Sequence, residues 1–145
     1  MMNDKKKGKR VIGLVQCDFA KERCSGFGCM NSFANRNDYF AGYEDNVILV
    51  PFNCGGCPGR RIPRIAENLI KRAKKKADIR ESEIIIHLAS CMVTDNGHYP
   101  PCPHLDYIKK MLKRKSLPFA EGSYIGKTAA KRRGQGMYEE HKPED

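Results

Sequence analysis

Cys54 and Cys57 stand two residues apart in the stretch VPFNCGGCP, with Gly55 and Gly56 between them. Glycine takes positive φ angles readily and has no side chain to obstruct, so both thiols can turn back on one centre. A thiolate pair at this spacing chelates a metal ion, and the same residues also make a working dithiol. Cys17, Cys91 and Cys102, with His98 or His104, could complete a tetrahedral site of four thiolates or of three thiolates and one imidazole. Cys24 and Cys29 form a further pair, read as a second ligand group or a lid.

Three chemistries follow from this residue set. The first is a metal site, with zinc the expected ion, because thiolate and imidazole suit it. The second is an iron–sulfur cluster, since seven cysteines exceed what one zinc ion uses and ligand type alone does not separate the two. The third is metal-free thiol–disulfide exchange by Cys54 and Cys57, because a dithiol where a strand feeds a helix is reactive as well as ligating. A weaker pattern, Cys17 and Arg23 in a C-x5-R arrangement, has the outline of a phosphate loop. Its interior, DFAKE, has no glycine and two acids, which disfavours an anion there.

The elements that must position these residues are legible as alternating runs. Val11–Cys17, Val47–Phe52 and Glu83–Ala89 are short, nearly continuous apolar stretches, the pattern of strands covered on both faces. A fourth strand is expected at Pro118–Ile125. Between them, Ile62, Ile65, Ala66, Leu69, Ala73 and Ala77 recur at helical spacing over Ile62–Asp78, and Leu105, Ile108, Met111 and Leu112 do so over Pro103–Lys115. A short helix is expected at Met30–Asn35. Strands alternating with helices predict an α/β fold, a single three-layer domain with a mostly parallel sheet of about four strands, flavodoxin-like in order. In such a sheet all strand ends share one edge, so Cys17, Cys54 and Cys91 converge there from distant positions. His87, inside the third apolar run, reads as a satisfied core histidine rather than a ligand.

Charge and composition narrow the alternatives. A chain of 145 residues buries a core without cysteine staples, so seven cysteines call for another role. No apolar core follows the basic leader Met1–Arg10 and no apolar run approaches a membrane span; a soluble cytoplasmic protein is expected, in which clustered cysteines are ligands or working thiols. The net charge of +10 points to nucleic acid only at first sight. The basic runs at Lys71–Lys76 and Lys109–Lys115 lie on predicted helices, where they read as solvated faces. With no tryptophan and no aromatic residues among them, no stacking platform is visible and no nucleic-acid partner is expected.

The chain resembles the CGGC domain proteins. The resemblance rests on FNCGGCPGR at Phe52–Arg60, the strand-end Cys17, CSGFGC at Cys24–Cys29 with Phe33 and Arg36, HLASC at His87–Cys91, and the loop with Cys102, Pro103 and His104. It covers residues 11–125, between the basic leader 1–10 and a C-terminal tail, 126–145, read as an extension or an unstructured segment. What the resemblance implies is metal binding, with zinc as the expected ion; it brings no reaction, and no catalytic residue is assigned.

Overall fold

The structure is a computed structural model and describes residues 10–94 and 101–137. Four strands, β1 (Arg10–Gln16), β2 (Val47–Asn53), β3 (Ile84–Leu88) and β4 (Phe119–Glu121), form one sheet in the order β2-β1-β3-β4. Every pairing is parallel. This is the doubly wound, flavodoxin-like order, with its reversal between β1 and β3. The helices are α1 (Phe27–Ala34), α2 (Ile62–Ala77), α3 (Ser90–Val93), α4 (Leu105–Arg114) and α5 (Lys127–Gly134).

The layers follow from side-chain alternation along the strands. On one face Val11 and Val15 of β1 and Ile84, Ile86 and Leu88 of β3 pack with Ile62, Ala66, Leu69 and Ala73 of α2 and Ile108 and Leu112 of α4. On the other, Ile12 and Leu14 meet Phe40, with Met30 and Phe33 of α1 against them. Gly13 lets α2 come close to β1: a Cβ there would sit 2.8 Å from Ile86 Cδ1 and 3.3 Å from Leu69 Cδ2. The basic residues Lys71, Arg72, Lys74, Lys75 and Lys76 are all exposed, as the periodicity of α2 predicts.

β1, between two neighbours, is buried along almost its whole length, whereas β2 is only partly covered. Pro51 explains where β2 belongs, because proline donates no N–H and is confined to sheet borders. Cys54 donates its N–H to the Gln16 carbonyl at 2.9 Å. Backbone groups alternate along a strand, so Pro51 falls on the outer side.

Within 126–145, read as an extension or an unstructured segment, α5 forms at Lys127–Gly134, where alanine, lysine and arginine favour helix, and Gly136 at φ +80° follows its end. Residues 138–145 and most of the basic leader, 1–9, lie outside the described residues, and Arg10 already belongs to β1. The short helix α3 was not expected; its four residues turn the chain directly after β3. Among the described residues no helix is long and apolar enough to cross a membrane.

Candidate functional site

The turn Cys54–Cys57, a claw of two thiols, begins where β2 ends. Gly55 and Gly56 both have positive φ, +75° and +99°, so the chain reverses between the two thiols. Two hydrogen bonds clamp the reversal, from Arg61 N–H to the Cys54 carbonyl at 2.9 Å and from the Arg61 guanidinium (Nη1) to Asn53 Oδ1 at 2.8 Å. Cys54 is buried and Cys57 exposed.

The strand ends bring the other sulfurs alongside. Asp18 N–H, just beyond β1, donates to Cys54 Sγ at 3.4 Å, and Cys17 N–H donates to Cys91 Sγ at the same distance. Cys102 is anchored by its own N–H on the Met92 carbonyl at 2.7 Å, and its Sγ accepts from His104 N–H at 3.4 Å. Three sulfurs thus each accept a backbone N–H, and at Cys91 and Cys102 that contact favours the thiolate over the thiol. Burial acts the other way. It pushes the Cys91 thiol up to about 12 and raises Cys102, with smaller upward contributions from neighbouring sulfurs.

Those neighbours sort the thiols into two groups. Cys91 feels Cys17, Cys29 and Cys24. Cys102 feels Cys57, Cys17 and Cys54. Cys17 belongs to both. Cys29, on α1, has its Sγ 3.2 Å from Ser123 Oγ, and all seven cysteines are free. Among the described residues, no three His, Cys, Asp or Glu side chains stand close enough together to hold a metal ion as they are placed. The strand ends deliver the sulfurs to one rim without closing a coordination sphere. His104 is half-buried immediately before α4, and His98 lies outside the described residues.

His87 is a core histidine. It is 1% exposed, Nδ1 donates to the Gly122 carbonyl at 2.9 Å, and Nε2 accepts from the Tyr43 hydroxyl at 2.7 Å. Burial lowers its pKa, so it is held neutral. The Cys17–Arg23 segment is no phosphate loop. The N–H groups of Lys21, Glu22, Arg23 and Cys24 all donate to the carbonyls of Cys17, Phe19 and Ala20 in a single 3-10 turn, which leaves them unavailable to an anion.

What the sequence did not reveal is a cavity of about 980 Å³ whose lining includes Cys24, Cys29 and Cys91 and neither Cys54 nor Cys57. Its walls come from the loop after β1, from α1, and from Tyr124 through α5. No local pattern marks it, because its walls meet only through long-range packing.

Fold and site together define an α/β protein with a ring of thiols along the carboxyl edge of a parallel sheet. The chain belongs to the CGGC domain family, whose profile matches residues 11–124. It is similar to an uncharacterized protein of Methanocaldococcus jannaschii, 28% identical over 107 residues that make up 72% of this chain and 73% of that relative. No solved structure matches it.

Proposed function

We propose that this protein binds a metal ion, zinc, through Cys54, Cys57 and Cys102, with Cys17 or His104 completing four ligands. The observation that carries this reading is the seating of the sulfurs: Cys54 and Cys102 each accept a backbone N–H, and Cys57 follows Cys54 on a clamped double-glycine turn. Sulfur-rich donors of this kind suit zinc, and a bound cation would offset the mutual repulsion of neighbouring thiolates. Exposed Cys57 is the thiol with room to swing inward. The metal would bring Lewis acidity and charge to the rim. The chain's part is to hold Cys54 rigid in the core and to keep Cys102 on its Met92 tether.

Elemental analysis and an absorption spectrum of protein purified without oxygen or added metal test this. About one zinc per chain and no visible colour are expected, with the zinc lost in a Cys54→Ser/Cys57→Ser variant. Iron with acid-labile sulfide would replace zinc by a cluster. Absence of metal would overturn the reading and leave the Cys54 and Cys57 dithiol as the reactive unit.

A further inference from the structure

The cavity shares no lining residue with the claw, and its position, size and charge all point to a ligand. It opens where β1 and β3 end, and Gln16, Ser90 and Cys91 are in its lining. That is the reversal point of the strand order β2-β1-β3-β4, where the flanking connections leave in opposite directions and open a crevice. A volume of about 980 Å³ is at the upper end of the range for small-molecule sites.

Among the described residues the charged side chains of the lining are mostly cationic. Lys21 and Arg23 come from the loop after β1, and Lys127, Arg132 and Arg133 from α5 on the other wall. Among the described residues the single carboxylate in it is Asp38. That group accepts from Ser32 Oγ at 2.6 Å and from Ile125 N–H at 3.1 Å, so it is engaged by protein donors. Like charges gathered around a low-dielectric concavity raise the local concentration of an oppositely charged ligand. Beside the cations, part of the wall is apolar and aromatic. The Tyr124 ring lies on Gly28, where a Cβ would stand 2.8 Å from Tyr124 Cδ2, and Ile125 and Ala129 continue the surface.

We propose that this cavity binds a phosphorylated organic anion of mononucleotide size, its phosphate on the cationic rim and its ring system against Tyr124. The cations are side chains, consistent with the backbone amides of Lys21 to Cys24 being already engaged. The proposal does not depend on the metal.

Titration calorimetry on the full chain tests it, with AMP and FMN as probes and adenosine and riboflavin as their uncharged counterparts. Each nucleotide is expected to bind at least about tenfold more tightly than its nucleoside and to weaken as salt is raised. Lys127→Gln/Arg132→Gln/Arg133→Gln should weaken the nucleotides by about tenfold or more, and Arg23→Gln, on the opposite wall, should weaken them independently should the α5 variant lose its helix. Lys74→Gln/Lys75→Gln, on the solvated face of α2, should change nothing. Three results would overturn the proposal: no nucleotide binding at millimolar concentration, equal affinity for nucleotide and nucleoside, or a loss from the α2 variant as large as that from the rim. Exposed Cys57→Ser separates the two sites. It should reduce zinc content and leave nucleotide affinity unchanged; loss of nucleotide binding with the fold intact would move the anion to the claw and also overturn the proposal.

Discussion

The two glycines of the claw look interchangeable in sequence, and the structure says they are not. A methyl group at Gly55 would stand 2.7 Å from Arg61 Cβ, whereas one at Gly56 would meet nothing within 4 Å. Arg61 cannot retreat easily, because its N–H and guanidinium hold Cys54 and Asn53. Both positions have positive φ, so alanine at either costs about 1–2 kcal/mol of backbone strain. Only Gly55→Ala adds a collision, for which overpacking of a fixed environment costs a further ~1–3 kcal/mol. For a domain of this size each kcal/mol moves Tm by about 2–4 °C, so Gly55→Ala should melt about 2–12 °C below Gly56→Ala. Thermal melts followed by circular dichroism measure the gap. Zinc content at limiting metal should fall in the same order, because relieving the collision separates Cys54 from Cys57. Equal melting temperatures, or Gly56→Ala as the weaker protein, would refute the account of how the turn is held.

The ion pair between Lys109 Nζ and Glu121 Oε2, 3.0 Å apart with side chains 11% and 4% exposed, joins α4 to β4. Glu121→Gln removes the carboxylate charge facing a buried ammonium and should cost about 3–5 kcal/mol in urea unfolding; a loss under ~1 kcal/mol would show that the pair is effectively solvated. His87 gives a pH dependence. Its folded pKa is depressed by burial below the ordinary 6.5, so its contribution is fully present above pH 6.5 and declines as pH falls through that value toward the folded pKa. Stability should drop between neutral and mildly acidic pH in the wild type, and His87→Gln should flatten that slope; an unchanged slope would assign it to other groups. In metal-free protein, iodoacetamide should modify exposed Cys57 well before Cys91, since Cys91 is half-buried and its thiol is pushed up to about 12. Peptide mass spectrometry showing Cys91 modified as fast as Cys57 would contradict that burial.

The strand-end cysteines were legible because two local signals coincided, an apolar run and a cysteine just past it. Cys17, Cys54 and Cys91 needed only the rule that parallel strands end at one edge. The boundaries of α2 were read to within a residue, since a 16-residue amphipathic helix carries its own periodicity. α3 was missed because four residues contain barely one helical turn, too few for any period to show. α5 was missed because its eight residues, KTAAKRRG, show no apolar stripe and none of them is buried. Its cationic side chains acquire meaning only opposite Lys21 and Arg23, a hundred residues away in the chain. The partition of the thiols about Cys17 was hidden for the same reason: both groups are assembled across strands, and their spacing in sequence does not encode it.

Pro51 has a consequence for how the molecule meets its surroundings. A strand from another chain seeking the outer border of β2 would find a missing donor midway along it, and the opposite border, β4, presents three residues. Neither margin offers a template on which identical sheets could stack into fibrils. Growth of the sheet is discouraged at both flanks, even though Ile48 beside Pro51 is 39% exposed and would otherwise favour it. Recognition is thereby left to the carboxyl end of the strands, where the sulfurs and the basic cavity lie side by side.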